Sequence, residues 1–167
     1  GSGKSVTSLS IMQLVPSPPG HIVGGEINFE SENLLEKSDR EMQSIRGSKI
    51  AMVLQDPMTA LNPVFKISDQ VGETLNIHKK LKGKKLYNSI IEMLEKVNIP
   101  DAEERMKDYP HQLSGGMRQR VVGAIGVSCS PTILIADEPT TSLDATIQAQ
   151  YLRLLKDLQN EFGMAIL

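Results

Sequence analysis

The hydrophobic positions of this chain follow two periods, and each period predicts a different kind of element. Unbroken apolar runs at 50–54 and 133–136 have the length and composition of strands buried on both faces of a parallel sheet. Residues 26–30 alternate between polar and apolar side chains, as a half-buried strand does, and residues 164–167 begin a further strand. Helical segments separate these runs. The pattern therefore predicts an α/β fold in which a mostly parallel sheet is flanked by helices.

Helix boundaries are indicated by caps and breakers in the first third of the chain. A helix is expected over 5–14, because prolines at 16, 18 and 19 would stop it. Ser38 and Glu41 have the spacing of a capping box, which predicts a short helix ending near Gly47. Glycines at 20, 24 and 25 indicate turns between the two helices.

The middle and the end of the chain have a longer helical pattern. From about 68 to 107 the apolar residues recur at helical spacing on two faces, one with 67, 71 and 75 and the other with 86, 90, 94 and 97. Asp101 and Glu104 predict a second capping box there. A helix is also expected after Ser114, although Gly123 and Gly126 inside it each cost about 1 kcal/mol of helix propensity. The stripe at 147–162, followed by a glycine, predicts the last helix.

Composition narrows the range of functions. With 167 residues, 40% of them hydrophobic and 23% charged, the chain can form one globular domain, or one domain with an added lobe. A net charge of −2 and a pI near 5.9 argue against nucleic acid as a partner. The sole cysteine, Cys129, excludes an intrachain disulfide and fits a reducing compartment. The sequence contains no apolar run long enough to span a membrane, so any membrane association is expected to come through a partner.

Two short motifs carry candidate chemistry. Asp137 and Glu138 follow the strand at 133–136 directly, at the edge of the sheet where open α/β proteins bind ligands. Taken alone, the two acids could simply end a strand. However, GSGKS at 1–5 matches the last five positions of the phosphate-binding loop, in which backbone N–H groups surround phosphate oxygens. In that pattern Lys4 reaches the β- and γ-phosphates and the Ser5 hydroxyl binds Mg²⁺.

A third motif identifies a family. The run LSGGMRQR at 113–120 resembles the signature of ABC-type ATPases, and the order of motifs also matches: phosphate loop, Gln55, signature, Asp137 with Glu138, then Ser142-Leu143-Asp144. The stretches at 45–64, 109–122 and 133–150 resemble, more narrowly, the ATP-binding subunits of peptide and nickel importers.

The resemblance implies a P-loop NTPase fold with an inserted helical lobe. It assigns residues 1–66 and 121–167 to the catalytic core and residues 67–120 to the lobe that carries the signature. It also implies roles for individual residues. It implies that Glu138 and Gln55 are catalytic and that Ser5, Gln55 and Asp137 bind Mg²⁺. The residues implied to contact ATP are Gly1, Ser2, Gly3, Lys4, Ser5, Val6, Ser114, Gly115, Gly116 and Asp144.

The same resemblance implies partners and a location. A second ATPase subunit, a membrane permease contacted through residues 58–65 and, indirectly, a solute-binding protein are expected at the cytoplasmic face of the cell membrane. Two other functions stay open: a non-transport ABC-type ATPase in DNA repair or translation, and a nucleotide-binding module without catalysis. The sequence begins inside the phosphate loop and stops before the family's terminal histidine, so the isolated chain is expected to hydrolyse ATP poorly. The transported solute is not indicated.

Overall fold

The computed structural model describes residues 2–53, 60–140 and 144–167. In chain order the helices and strands are α1 (Lys4–Ile11), β1 (Asn28–Phe29), β2 (Glu32–Asn33), α2 (Asp39–Ile45), β3 (Ile50–Val53), α3 (Ile67–Lys79), α4 (Gly83–Lys96), α5 (Ala102–Arg105), α6 (Gly115–Val127), β4 (Ile133–Ala136), α7 (Ala145–Phe162) and β5 (Ala165–Ile166). Short 3₁₀ turns lie at Leu34–Glu36 and Pro110–Gln112.

The expected parallel sheet is present. Its order is β3-β4-β5, with Ile50 opposite Ile133, Val53 opposite Ala136, and Ile133 opposite Ala165. The strand predicted at 26–30 is shorter: only Asn28–Phe29 pairs, in an antiparallel hairpin with β2. It ends there because Glu30 and Ser31 have φ values of 50° and 67°, which turn the chain.

The strands alternate their side chains between two hydrophobic clusters. On one face, Ile50 and Ile135 pack with residues from α1, α2 and the 3₁₀ turn between β2 and α2: Met12, Leu34, Met42 and Ile45. On the other face, Ala51, Val53 and Leu134 join the apolar stripes of α3, α4, α6 and α7. The stripes expected on α3 and α4 are buried, except that Leu86 is only half-buried. The sheet is thus covered on both sides, as parallel sheets require.

The predicted helix starts are confirmed at two of three caps. Ser38 and Glu41 form the reciprocal capping box of α2, and Ser114 caps α6. The capping box expected at Asp101 is wrong: its φ is 52°, and its side chain accepts no cap hydrogen bond from α5. The first helix also ends earlier than expected, at Ile11, since Gln13 turns the chain with a φ of 48° before the prolines are reached.

The two glycines inside α6 allow this helix to lie close to its neighbours. A Cβ atom on Gly126 would lie 3.1 Å from Val53 Cγ2 and 3.3 Å from Leu134 Cδ1. A Cβ on Gly123 would lie 3.2 Å from the Tyr151 hydroxyl oxygen. Contact distances this short are unusual for a real Cβ, so close packing outweighs the loss of helix propensity that these glycines cause.

Among the described residues, no helix combines the length and the apolar character that crossing a bilayer requires. The division into a core and a lobe at 66/67 and 120/121 stays a prediction. Its second boundary falls inside α6, and the larger hydrophobic cluster includes residues from both parts.

Candidate functional site

The site is built on the carboxyl edge of the parallel sheet. β3 and β4 end in register at Val53 and Ala136. The next backbone N–H, that of Asp137, donates to the Val53 carbonyl at 3.1 Å. This hydrogen bond extends the pairing by one residue and holds Asp137 at the edge, where its side chain is buried. Asp137 therefore lies where open α/β sheets bind ligands, as the sequence predicts.

The N-terminus of α1 reaches the same edge. Gly3 precedes the helix with a φ of 85°, in the left-handed region where glycine has no steric cost. Its carbonyl accepts two hydrogen bonds from Thr7, at 2.9 Å from the backbone N–H and at 3.0 Å from the hydroxyl. These two hydrogen bonds stabilise the first turn of α1, which begins at Lys4. Its free N–H groups and the lysine charge together favour an anion at this end.

The lysine and the second acid meet directly. Lys4 Nζ lies 2.8 Å from Glu138 Oε1, and both side chains are largely exposed, 66% and 41%. The hydrogen bond and the charge of Glu138 raise the pKa of the Lys4 ammonium, and Asp137 adds to the same effect. Glu138 itself has a φ of 48°, a strained value for a residue with a side chain. Two residues that are 134 positions apart in the chain, numbered 4 and 138, thus form one charged centre.

A cavity of about 460 Å³ opens beside this pair, lined by Ser2, Lys4, Thr7, Ser8, Ala136, Asp137, Glu138, Pro139 and Leu167. Three predicted ligand residues, Ser2, Lys4 and Asp137, line it together with the predicted base. Ser5, in the first turn of α1, is exposed but is not among the lining residues, and Val6 is also exposed. Thr7 and Ser8 were not singled out from the sequence. They line the cavity because they follow Lys4 on α1.

Oxygen donors at this cavity and on the adjoining first turn of α1 fit Mg²⁺ bound together with a phosphate. The described residues include no group of three or more His, Cys, Asp or Glu side chains that could bind a metal ion. Mg²⁺ rarely needs such a group, because it is usually held by one or two carboxylates, substrate phosphates and water. The buried Asp137 carboxylate and the Ser5 hydroxyl are both oxygen ligands of the kind Mg²⁺ prefers.

The signature residues lie at a different place. Ser114 Oγ accepts from the Met117 N–H at 3.3 Å and so begins α6. Ser114 and Gly116 line a second cavity of about 250 Å³, which has no lining residue in common with the cavity at Lys4. Gly115 is exposed at the start of the helix. The structure therefore does not bring the predicted signature contacts together with the phosphate-loop residues of the same chain.

Other predicted positions have local roles or lie outside the described residues. The Asp144 carboxylate caps α7, accepting from the N–H groups of Thr146 and Ile147 at 3.0 Å each. Gly1, Gln55, residues 58–59 of the predicted permease-facing loop and Ser142-Leu143 are outside the described residues. Their assigned roles stay predictions.

Sequence reasoning missed Gln119. It is fully buried in α6, and its side-chain amide donates to the Pro139 carbonyl, one residue after Glu138. Its signal in the sequence is weak, because it is a single polar residue between Gly116 and Gly123 on one face of a helix, within the signature motif.

These features define a class of protein. A lysine at a glycine-opened helix start, facing an Asp-Glu pair at the carboxyl edge of a parallel sheet, is the arrangement of a P-loop nucleoside triphosphatase. The chain belongs to the ABC transporter family, whose sequence profile matches residues 1–141.

The curated relatives are subunits of peptide transporters. The chain is 50% identical over 167 residues to a probable peptide ABC transporter ATP-binding protein of Sinorhizobium fredii, covering 100% of this chain and 50% of that protein. It is 52% identical to the oligopeptide transport ATP-binding protein OppD of Bacillus subtilis, covering 100% of this chain and 47% of the relative. The chain therefore spans about half the length of the curated relatives it matches.

Solved structures confirm the fold class. The ATP-binding cassette MJ0796, determined as a dimer in a post-hydrolysis state bound to ADP and Pi, matches with a TM-score of 0.79 and 25% identity over 99% of this chain and 69% of that one. A second dimeric structure of the same bacterial ABC transporter cassette matches with a TM-score of 0.78, also at 25% identity.

Proposed function

We propose that this chain is the catalytic part of an ATP-hydrolysing subunit that drives import of peptides through a membrane permease. The observation that carries the proposal is the 2.8 Å contact of Lys4 with Glu138 beside the buried Asp137. It brings together at one cavity a cation that would bind phosphate, a carboxylate that would bind the metal and a carboxylate that would act as the base. The names of the relatives, with about 50% identity along the whole chain, support peptides as the solute.

The phosphates of ATP would bind at the start of α1. There the free N–H groups and Lys4 stabilise the negative charge that develops on the transferring phosphoryl group. Binding requires Lys4 to exchange the Glu138 carboxylate for phosphate oxygens. Ser5 and Asp137 would hold Mg²⁺, with Gln55 as a further ligand. A metal ion held by these residues would supply positive charge that offsets part of the negative charge of the phosphates.

Glu138 is the general base in this proposal. Once Lys4 pairs with phosphate, the Glu138 carboxylate can accept a proton from the attacking water. Glu138 follows Asp137 with a left-handed backbone, and in this proposal Asp137 would bind the metal while Glu138 would act on the water. Gln55 would help to orient that water.

The working unit is proposed to be a dimer of ATPase subunits. Ser114, Gly115 and Gly116 line or flank a cavity separate from the one at Lys4, which favours a contact with the nucleotide held by another subunit. The dimeric form of the cassette MJ0796 supports this arrangement. Asp144 would contribute to the contacts with ATP.

The subunit would bind the permease at the cytoplasmic face of the cell membrane, through residues 58–65, and a solute-binding protein would deliver the peptide.

The proposed reaction is tested in the full-length subunit by Glu138→Gln. The amide preserves the size of the side chain but is too weak a base, so kcat for ATP should fall about 10²–10⁴-fold. Mg-ATP binding should be retained, because the substitution also releases Lys4 from its ion pair. Phosphate release and equilibrium nucleotide binding are measured side by side.

Glu30→Gln is the matched control, since Glu30 forms an exposed ion pair with Lys49 far from the site. It should leave kcat unchanged. Normal turnover by Glu138→Gln would overturn the role of Glu138. Coupling to transport is measured separately, as ATP-dependent uptake of a labelled peptide into vesicles that contain the permease; a full-length subunit that hydrolyses ATP but supports no peptide uptake would contradict the proposed solute.

A further inference from the structure

One face of α6 is shaped to receive α7. Gly116, Gln119 and Gly123 are spaced three and four residues apart, so they lie on the same side of α6. Opposite them lie Ile147 and Tyr151, one turn apart on α7. A Cβ on Gly116 would lie 3.3 Å from Ile147 Cγ2, and one on Gly123 would lie 3.2 Å from the Tyr151 hydroxyl. The two glycines thus allow α7 to approach α6 closely, which brings Tyr151 near Gln119.

Gln119 is a buried polar group whose hydrogen bonds are half complete. Its Nε2 donates to the Pro139 carbonyl, while its Oε1 has no hydrogen-bond partner among the described residues. The Tyr151 hydroxyl is likewise buried and without a hydrogen-bond partner in the described part of the chain. Both side chains line the 250 Å³ cavity that also contains Ser114. Leaving two such atoms unpaired is costly, and a phenol O–H and an amide oxygen are complementary.

The ionisation state of Tyr151 fits the role of donor. Burial raises the pKa of its hydroxyl far above the usual value. The phenol therefore keeps its proton throughout the physiological pH range and can donate it.

The backbone around Glu138 explains what these contacts do. Glu138 has a φ of 48°, which persists only where the surroundings hold it. On one side, the Asp137 N–H donates to Val53 at 3.1 Å. On the other side, the Pro139 carbonyl accepts from Gln119. The strained residue that carries the proposed base is thus fixed from both ends, by β3 and by α6.

We propose that Gln119 is a positioning residue for Glu138, and that the Tyr151 hydroxyl completes its hydrogen bonding by donating to Oε1, directly or through one water molecule. Together they connect α7, the signature helix α6 and the loop that carries the base. The proposal rests on the proposed ATPase function. It predicts that these two buried side chains affect the rate of hydrolysis more than the binding of ATP.

The test uses Gln119→Leu, Tyr151→Phe and the double variant in the full-length subunit. For Gln119→Leu we expect a loss of kcat of about 10²-fold, the size of effect that a misplaced catalytic group causes. The Kd for Mg-ATP should change less than about threefold, which distinguishes positioning from a loss of binding. Tyr151→Phe should lower kcat by less. The double variant should be no slower than Gln119→Leu, because both changes break one network.

Gln43→Leu is the matched control, because Gln43 is exposed on α2, and it should have the activity of the unmodified protein. The proposal is overturned if folded Gln119→Leu keeps its kcat, if kcat and ATP affinity fall in parallel, or if the two single losses multiply in the double variant.

If Gln119→Leu does not fold, Gln119→Glu replaces it. Its buried acid can donate to Pro139 only when protonated, so its kcat relative to the unmodified protein should rise on acidification, and a flat ratio overturns the proposal. An unmodified subunit without ATPase activity would instead contradict the proposed function itself.

Discussion

At the scale of single residues, motif spacing predicts which side chains matter, and backbone conformation decides which of them meet. The phosphate-loop pattern and the acidic strand end correctly placed Lys4 and Asp137 at one edge of the sheet. The contact between Lys4 and Glu138 could not be predicted. It depends on the left-handed conformation of Glu138, and nothing in the residue type indicates that conformation. Gln119 was missed for a similar reason, because its partner is a carbonyl that is 20 positions away in the chain.

His78 gives a residue-scale prediction about pH. Burial, with a smaller contribution from Lys80, lowers the pKa of His78 below its ordinary value of 6.5. The folded protein thus resists protonation of this ring, while the unfolded chain does not. The contribution of the neutral His78 ring to the free energy of unfolding is therefore fully present above pH 6.5. It is lost as the pH falls below 6.5 and through the lowered pKa of the folded state. Thermal unfolding at pH 7.5 and pH 5 should show a smaller decrease in Tm for His78→Gln than for the unmodified chain.

The matched control is Gln43→Leu, which replaces an exposed residue that does not titrate and should leave the pH dependence of Tm unchanged. An identical decrease in Tm for His78→Gln and the unmodified chain would contradict the prediction.

At the scale of elements, the helix signals worked where the cap itself determines the start. Ser38 and Ser114 both cap as predicted, because their side chains meet N–H groups of their own helix. Asp101 carries the same signal and fails. It lies between the buried Ile99 and Ala102, and packing these two residues into the core forces the intervening turn into a left-handed conformation. At Asp101 the packing of the neighbouring residues therefore outweighs the local preference of aspartate for capping a helix.

Gly126 gives the corresponding prediction for an element. Gly126→Ala should lower the free energy of unfolding by about 1–3 kcal/mol, the usual cost of overpacking. The new methyl would press on Val53 and Leu134, which are 1% and 0% exposed and have no room to move. Urea denaturation followed by circular dichroism measures the change.

Gly115→Ala is the control within the same helix, since a Cβ there meets nothing within 4 Å. It should be neutral or slightly stabilising, as helix propensity alone predicts. Equal stability of the two variants would show that α6 can move away from the sheet.

At the scale of the whole molecule, periodicity predicted the apolar stripes but not their partners. The stripes of α3 and α4 pack with α6 and with one face of the sheet in a single cluster. A helical period identifies which face of a helix is buried, and it contains no information about what covers that face. The parallel pairing of β3, β4 and β5 followed from the fold class, whereas their order and the close approach of α6 to β3 and β4 did not.

Sharing of the site between subunits is tested by mixing two inactive variants. In the full-length homodimer, Lys4→Ala should lose a phosphate contact and Ser114→Arg should block closure, so each alone should lack ATPase activity. A mixed dimer contains one composite site with an intact Lys4 from one chain and an intact Ser114 from the other. Part of the phosphate release should therefore return on mixing.

Formation of mixed dimers is verified with differently tagged chains. If they form and activity stays absent, Ser114 does not act on the partner's nucleotide. If the natural partner is a different chain, the same substitutions are made at that partner's matching positions.

The two hydrophobic clusters on opposite faces of the sheet have a mechanical consequence. The helix that begins at Lys4 is anchored through Met12 in the smaller cluster, while the helix that begins at Ser114 is anchored in the larger one. The helix proposed to bind phosphate and the helix proposed to cover a partner's nucleotide therefore pack in different hydrophobic clusters, on opposite faces of one sheet. If Ser114 acts on a partner's nucleotide, we expect any adjustment of α6 to disturb the larger cluster before the smaller one in which Met12 is buried.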